Sequence, residues 1–255
     1  MSGTVGAPLF SVSVVSHRHG ALLPGLLRDL ARLDNGRLEV LLTLNVPEDP
    51  GFAPDIPGLR LAVTRNAAPK GFGANHNAAF ARSTGRHFCV LNPDIRLTQD
   101  PFEPMRALLQ DPGVGACAPL VRAPDGGIED SARRFPTVAR LAARALARER
   151  TPDYDARGVF EPDWIAGMFM AFRRETYREV GGFDERYFLY YEDVDLCARL
   201  RAAGYRVKVD AGVDIVHAAR RSSHHSLRFA LWHASSMARF LLTSPQRRLQ
   251  PRGPG

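Results

Sequence analysis

Runs of apolar, β-branched residues alternate with helical patterns through the first half of the chain. The strand-like runs end in polar or turn residues and lie at positions 10–16, 38–45, 59–66 and 87–94. Between them, apolar positions recur at helical spacing near 20–33 and 74–83. Strands that alternate with helices predict a mostly parallel sheet with helices on its faces. We therefore expect an α/β fold in a single compact domain.

Polar residues follow three of the predicted strands. Ser16 begins the first group, Asn45–Asp49 form the second, and Asn92 and Asp94 belong to the third. Ligands of parallel sheets bind beyond the carboxyl ends of the strands. The topology therefore predicts that these three groups converge on one binding site.

A glycine-rich turn, GFGANHNAAF, begins at Gly71 and leads into the second predicted helix. The free N–H groups of such a helix start are suited to a phosphate. A dinucleotide fingerprint is excluded, because His76 occupies its third glycine position. The candidate contacts to a nucleotide are Gly71, Gly73, Asn75 and Asn77. A loop with a helix cap and no ligand is the alternative.

Two further positions carry metal-binding chemistry. In LNPDI, a proline-stiffened turn presents Asp94, and a carboxylate there can hold a hard divalent ion that bridges a diphosphate. A simple turn is the alternative. His217 follows a predicted strand, YRVKVD, and a predicted turn at Ala211 and Gly212. A lone histidine is more often satisfied by hydrogen bonding than by a metal.

The pattern loosens between Val121 and Asp163, as is typical of a binding loop or lid. Arg133, Arg134 and Arg140 in this stretch either attract an anionic substrate or form a solvated basic face.

A carboxylate cluster follows an aromatic run in GGFDERYFLYYEDVDLCARLRAAGY, residues 181–205. On a helix that begins near Asp193, this residue shares the apolar face with Leu196, Cys197 and Leu200. Burial there raises a carboxyl pKa, and the helix dipole opposes the rise. Asp193 is therefore the candidate general base. In the alternative interpretation, Glu192 and Asp193 only cap the helix, which Gly204 ends.

Asp195 lies four residues before Arg199, which is the spacing of a surface ion pair on a helix. This spacing favours a structural role, and Asp195 is also kept as a candidate contact to an acceptor.

Composition sets the class of the protein. The chain has 255 residues, of which 45% are hydrophobic, enough for one large domain. The sequence contains no apolar run of about 20 residues, and its first residues do not resemble a secretory signal. We therefore expect a cytoplasmic protein. Its three cysteines lack metal-like spacing, which predicts buried thiols.

The net charge is +7, and Ile215–Gly255 holds seven arginines and no acidic residue. A helical apolar stripe runs through this segment at Leu227, Leu231, Ala234, Ala238 and Leu241. Such a helix either rests on anionic lipid or packs on the domain with a solvated arginine tail. Signatures of nucleic-acid readout are missing from the sequence, so nucleic acid is not an expected partner.

From about Phe10 to His217, these motifs in this order resemble the inverting family 2 glycosyltransferases of the GT-A fold, particularly the rhamnosyltransferase-like branch. The most specific stretch is GGFDERYFLYYEDVDLCARLRAAGYRV followed by His217. Four further stretches support it: RNAAPKGFGANHNAAF, VLNPDI, SARRFPT and WIAGMFMAFRRETYREV.

The resemblance implies roles for these residues. Asp94 would hold a divalent cation, Mg or Mn, with His217 as a further ligand. Asp193, with Glu192 beside it, would take the proton from the acceptor hydroxyl. Gly167 and Trp164 would lie against the donor or acceptor. Residues 8–220 would form the catalytic domain, with a nucleotide-sugar half at 8–95 and an acceptor half at 96–220, followed by a basic helix and tail at 221–255.

The expected activity is metal-assisted, inverting transfer of rhamnose or a similar sugar from a dTDP-, UDP- or GDP-sugar. The acceptor would be a cell-surface glycan or lipid-linked saccharide, at the cytoplasmic face of an anionic plasma membrane. Leu44 falls where many relatives carry a nucleobase-binding Asp, and Asn92 supplies no charge. These departures leave open a catalytically inactive glycan- or nucleotide-binding protein. A sugar nucleotidyltransferase is disfavoured, because SHRHGALLPG replaces the basic triphosphate loop.

Overall fold

A computed structural model of the protein describes residues 8–49, 56–146, 152–218 and 227–243. The strands are β1 (Phe10–Ser16), β2 (Leu38–Leu44), β3 (Arg60–Arg65), β4 (His87–Leu91), β5 (Ile95–Arg96), β6 (Val114–Arg122), β7 (Ala132–Arg133), β8 (Val159–Phe160), β9 (Trp164–Ile165), β10 (Phe169–Arg173) and β11 (Arg206–His217). The helices are α1 (Leu23–Leu33), α2 (Phe72–Phe80), α3 (Phe102–Leu108), α4 (Val138–Leu146), α5 (Arg174–Glu179), α6 (Glu192–Ala202) and α7 (Leu227–Thr243).

Within the described residues, one large sheet runs in the order β3-β2-β1-β4-β10-β6-β11-β5, and β8 pairs with β11. The first four strands are parallel, which confirms the α/β prediction for the first half. β10 is antiparallel to both β4 and β6. The second half therefore makes the sheet mixed, and one continuous sheet joins the two predicted halves.

The core lies on both faces of β1 and β4. Along β1, Phe10, Val12 and Val14 are fully buried, and so are the intervening Ser11 and Ser13. Helices cover both faces, which explains why these strands lack a polar face in the sequence. All three cysteines are free and buried, as predicted.

β11 differs from the sequence prediction. The expected turn at Ala211 and Gly212 is wrong, because the strand continues to His217. Its register against β6 shifts between Asp210 and Asp214, so the extra residues are absorbed as an irregularity inside the strand. His217 is the last residue of the strand, opposite Ile95 of β5.

Helix α7 packs on the domain. Its Ser236 hydroxyl donates a 2.9 Å hydrogen bond to the Leu189 carbonyl, and its Phe240 ring is fully buried. The described residues do not include His224, His225 or the arginines beyond Thr243. In the part of the chain that the structure describes, none of the helices is both long enough and apolar enough to cross a membrane.

Candidate active site

Three asparagines, Asn45, Asn66 and Asn75, form an amide cluster beyond the carboxyl end of β2. The Asn66 side-chain amide donates to Asn45 Oδ1 at 2.8 Å and to Asn75 Oδ1 at 2.7 Å. Asn45 also bonds both the N–H and the carbonyl of Lys70, at 2.8 and 2.9 Å. The amide cluster therefore holds the loop that leads into α2.

The Asn45 side chain also contacts His17, which follows β1. Its amide nitrogen lies 3.1 Å from His17 Nδ1. Partial burial, assisted by the nearby cations, lowers the pKa of His17 and favours a neutral ring. Ser16 is buried, and its hydroxyl accepts the N–H of His19 at 3.2 Å. The first two predicted polar groups thus meet at one edge of the sheet.

Asn77 uses its side chain inside the protein. Its oxygen accepts from the Tyr177 hydroxyl and the Phe183 N–H at 2.8 and 3.0 Å. Its amide nitrogen donates to the Phe183 carbonyl and to Glu185 at 2.9 and 3.0 Å. All four hydrogen bonds that the Asn77 side chain can make are therefore used within the protein, and none is left for a bound nucleotide-sugar.

The glycines of the same motif provide close packing. A Cβ atom at Gly71 would lie 2.9 Å from the Phe188 carbonyl oxygen, and one at Gly73 would lie 2.5 Å from Phe183 Cβ. Both glycines therefore let α2 approach residues 183–188. A cavity of about 530 Å³ opens beside this contact, but none of Asp94, Asp193 and His217 lines it.

We expect Gly73→Ala to lower the free energy of unfolding by about 1–3 kcal/mol, because the Phe183 Cβ cannot move without its backbone. The matched control is Gly25→Ala in α1, where a new Cβ would meet only the flexible end of Arg96 at 3.6 Å. That change should raise stability by up to about 1 kcal/mol. Thermal unfolding of both variants tests the contrast, and equal shifts would contradict it.

Asp94 and His217 meet where the turn after β4 approaches the end of β11. His217 Nε2 lies 3.2 Å from Asp94 Oδ2, and the Ala218 N–H donates to the Asp94 carbonyl at 2.8 Å. The other carboxylate oxygen, Asp94 Oδ1, is buried and finds no hydrogen-bond partner among the described residues. A third group, Glu129, places Oε1 3.6 Å from His217 Nδ1.

The side chains of Asp94, His217 and Glu129 fit part of a divalent-cation site. Burial opposes protonation of His217, but Asp94 and Glu129 outweigh it and raise its pKa. The orphaned Asp94 oxygen supplies the ligand type that Mg or Mn prefers. Among the described residues, however, no group of three or more His, Cys, Asp or Glu side chains has a metal-binding arrangement. Any ion held here needs further oxygen ligands from its substrate.

The helix predicted near Asp193 begins at Glu192 and is followed by Gly204 at φ +89°, as expected for its end. It starts from two residues in the left-handed region, Tyr190 at φ 70° and Tyr191 at φ 67°. Each such residue costs about 1–3 kcal/mol in backbone strain, which the surrounding packing offsets. This turn sets the direction in which Glu192 and Asp193 leave the backbone.

Asp193 is half-buried and accepts two backbone hydrogen bonds. The N–H of Gly167 lies 3.0 Å from Oδ2, and the N–H of Val194 lies 2.8 Å from Oδ1. Burial raises the pKa of Asp193, and these two bonds limit the rise. A carboxylate with a raised pKa suits proton abstraction near neutral pH.

Glu192 is 5% exposed, and its Oε2 has no hydrogen-bond partner within the described ranges. Burial, and then the neighbouring Asp193 charge, raise the pKa of Glu192 well above its ordinary value. The two adjacent acids therefore differ in their hydrogen bonding, since Asp193 accepts two backbone N–H groups and Glu192 Oε2 accepts none among the described residues.

A short series of contacts joins the two acidic positions. The Asn92 N–H donates to the Met168 carbonyl at 3.0 Å, and Gly167, next in the chain, donates to Asp193 at 3.0 Å. Asp94 and Asp193 therefore lie at the same end of these two central strands, where β4 ends and β10 begins. A Cβ at Gly167 would lie 3.1 Å from the Phe72 ring, so this position is tightly enclosed.

Trp164 is 9% exposed, and its indole N–H donates to the Arg134 carbonyl at 3.1 Å. The Arg133 guanidinium lies 5.7 Å from the indole centroid, and its positive charge also reaches Asp193. Stacking of Trp164 on a sugar stays a prediction.

The predicted ion pair of Asp195 with Arg199 is confirmed at 2.7 Å, but it is buried and not on the surface, since Asp195 is 5% exposed. Its acceptor role stays a prediction too.

Sequence reasoning missed the roles of Glu129 and Asn66. Glu129 stands two residues before the SARRFPT motif, which was its only signal. Asn66 is the last residue of the third predicted strand, so the rule that places ligands beyond strand ends could have identified it.

Comparison with known proteins identifies the family of the chain. The sequence matches the family described as "Glycosyltransferase like family 2" over residues 7–237. It is 29% identical to Rhamnosyltransferase WbbL of Escherichia coli K12 over 67% of this chain and 70% of that protein. It is 34% identical to an N-acetylglucosaminyl-diphospho-decaprenol L-rhamnosyltransferase of Mycobacterium tuberculosis over 50% of this chain. The aligned part is 45% of that mycobacterial relative.

Solved structures share the fold. The mannosyltransferase PcManGT from Pyrobaculum calidifontis, in complex with GDP-Man and Mn2+, has a TM-score of 0.68 at 19% identity, covering 98% of this chain and 66% of that one. GalNAc-T7 with UDP, GalNAc and Mn2+ has a TM-score of 0.67 at 14% identity, covering 85% of this chain and 45% of that one. Since the family match extends over most of the sequence, the chain belongs to glycosyltransferase family 2 and has the GT-A fold.

Proposed function

We propose that this glycosyltransferase moves rhamnose or a similar sugar from a nucleotide donor to a cell-envelope glycan or lipid-linked saccharide, with inversion. The names of its relatives support the sugar and the type of acceptor, since two of them are called rhamnosyltransferases and one name contains a diphospho-decaprenol acceptor.

One observation carries the proposal: the contacts through Asn92, Met168 and Gly167 that bring Asp94 and Asp193 to the same end of strands β4 and β10. Inverting transfer needs a base on the acceptor side and charge stabilisation on the diphosphate side. Asp193 takes the acceptor proton, so that the hydroxyl oxygen attacks the anomeric carbon opposite the leaving nucleotide. Glu192 supports it as an adjacent, buried acid.

Asp94 and His217 would hold a divalent cation, Mg or Mn, with Glu129 close to His217. When bound, such an ion neutralises negative charge that builds on the departing diphosphate. The protein supplies few ligands, so the donor phosphates would complete its coordination. Tight donor binding should therefore depend on metal, and metal binding on donor.

The donor would lie between the amide cluster and the Asp94 turn. His17 and Lys70 border the nucleoside side, where Asn45 joins their two segments. Because Leu44 replaces an acidic base contact, the choice among dTDP, UDP and GDP would depend on these neighbours. Of the predicted donor contacts, Gly71 and Gly73 shape this region by close packing, and the Ser16 and Asn75 side chains shape it by hydrogen bonds to neighbouring groups.

The acceptor would approach past Gly167, beneath Arg133 and Trp164. The Arg133 charge suits an acceptor that itself carries phosphate, as a lipid-linked saccharide does. We place the enzyme at the cytoplasmic face of an anionic membrane, where such acceptors would be reached.

A thermal-shift screen of dTDP-, UDP- and GDP-sugars, each with and without Mg or Mn, tests this function. The true donor should stabilise the protein by about 2.7 kcal/mol at 100 times its Kd. That corresponds to roughly 5–10 °C for a domain of this size. The shift should require metal, and the same donor should be turned over. Stabilisation without any turnover would favour an inactive nucleotide-binding protein instead.

A further inference from the structure

The most exposed large hydrophobic side chains of the described ranges lie on two helices. Val138 and Leu146 of α4 are 71% and 85% exposed, and Leu231 and Leu242 of α7 are 61% and 72% exposed. Elsewhere in those ranges, exposed large hydrophobic side chains reach at most 50% exposure. Such concentration of apolar surface marks an interaction site.

Helix α7 carries exposed apolar residues on its outer face. Its inner face is formed by Ser236 and Phe240, both buried. Helical spacing places Leu231 and Leu242 on the opposite face, where both are exposed. One face of the helix therefore packs on the domain. The predicted stripe is divided, since its Leu231 faces away from the domain and its Leu241 packs against the core.

The inner contacts keep α7 in this orientation. The His233 ring lies 5.3 Å from the Tyr190 ring and 5.4 Å from the Tyr191 ring, and the Phe240 ring lies 5.7 Å from Tyr191. Tyr190 and Tyr191 are the two left-handed residues that precede α6. If α7 rotated about its axis, it would lose these contacts with the strained turn. The outer face of α7 therefore does not belong to the core of the domain.

Helix α4 also carries exposed apolar side chains. Its Arg144 donates to Asp130 at 2.9 Å. Val138, Ala142 and Leu146 are exposed. The Phe135 ring, just before α4, lies 6.5 Å from the Phe240 ring of α7, so the segment that leads into α4 approaches the C-terminal part of α7.

Charge decides which partner fits. The segment from Ile215 to Gly255 contains seven arginines and no acidic residue. Two of them lie on α7, with Arg228 4.5 Å from the Trp232 centroid and Arg239 5.9 Å from that of Tyr187. A second copy of the chain would bring like charges together, whereas anionic lipid offers both apolar chains and negative headgroups.

We propose that the outward faces of α4 and α7, here called the α4–α7 surface, dock on an anionic lipid bilayer. The inner face of α7 covers Tyr191, and Glu192 and Asp193 follow directly. The general base therefore lies two residues from a side chain that α7 contacts. This last step rests on the proposed function: the polar head of a lipid-linked acceptor would reach Asp193 while its chain stays in the membrane.

Vesicle flotation of the full-length protein tests the surface without donor or acceptor, so its outcome is independent of sugar transfer. Vesicles of phosphatidylglycerol and phosphatidylcholine should bind the wild type, and pure phosphatidylcholine should bind it less. The charge-neutral double variant Leu231→Gln/Leu242→Gln should lose on the order of tenfold in binding. Val138→Gln/Leu146→Gln should show a smaller loss in the same direction.

The matched control is Val63→Gln/Val159→Gln, at positions 37% and 50% exposed on strands β3 and β8, and it should bind as the wild type does. Equal thermal unfolding temperatures exclude misfolding as the cause of a loss. The proposal is overturned if the α7 variant binds normally or if the control loses as much. A wild-type dimer that the α7 variant converts to a monomer would likewise replace the bilayer with a second copy.

Discussion

Asp193→Asn should lower kcat by about 10²–10⁴-fold while leaving the donor KM nearly unchanged. The amide oxygen can still accept the Gly167 N–H that now bonds Asp193 Oδ2 at 3.0 Å. The amide nitrogen cannot accept the Val194 N–H that now bonds Oδ1, so the free energy of unfolding should fall by about 1–3 kcal/mol. The amide cannot take a proton from an acceptor hydroxyl. The loss should therefore appear in the chemical step and not in donor binding.

The control is Asp210→Asn in β11, where the carboxylate likewise accepts a backbone hydrogen bond, from the N–H of Gly212 at 2.8 Å. It makes the same chemical change away from the site and should keep wild-type kcat. A fall in donor affinity equal to the fall in kcat would reassign Asp193 to binding, and unchanged turnover would remove it as the base.

The pH profile gives a second measurement. A base must be deprotonated, so kcat/KM falls as pH drops through the folded-state pKa. Burial raises the pKa of Asp193, which moves this acid limb above the ordinary carboxyl value of about 4. Since Glu192 is adjacent and also shifted upward, the apparent pKa belongs to the pair. An acid limb near pH 4 or below would contradict the burial argument.

The sequence predicted the first half of the fold well because its central strands are buried on both faces. β1 matches the predicted run at both ends, Phe10 and Ser16. Helix α2 begins at Phe72, two residues before the predicted start, since Gly71 serves as its N-cap. Helix ends depend on such local geometry more than on periodicity.

Periodicity located α7 but did not show which face would pack. The apolar stripe at Leu231, Ala234 and Ala238 is exposed, while the less regular set with Ser236 and Phe240 is buried. Contacts with the aromatic run before α6 decide the orientation. The residues in contact are more than 40 positions apart in the sequence, as Ser236 and Leu189 are. The local hydrophobic pattern of α7 therefore could not predict these contacts.

The candidate site shows the same division. The residue types at Asp94, Asp193 and His217 were readable, and the family resemblance connected them to roles. Their environments were not readable. The Gly167 bond to Asp193 spans 26 residues, and Glu129 reaches His217 only because β11 continues past the expected turn.

Asp94→Ala should reduce metal-dependent donor binding by about 100-fold or more. Loss of even a supporting partner around a metal ligand costs about 10–100-fold in affinity. Asp94 offers a buried oxygen without a partner among the described residues and a second oxygen 3.2 Å from His217 Nε2. Its removal leaves His217 as the main protein ligand, with Glu129 unable to replace it from its present position 3.6 Å from Nδ1.

The measurement is the metal-dependent part of the donor's thermal shift, taken with Mn or Mg, alongside the transfer rate. Asp94→Ala should abolish the metal-dependent part, whereas Asp193→Asn should retain it. The two acids would then be separated by function, one acting on the diphosphate and one on the acceptor proton. If Asp94→Ala kept the full metal-dependent shift, the cation would have to bind elsewhere, and His217 would be left with only its hydrogen-bonding role.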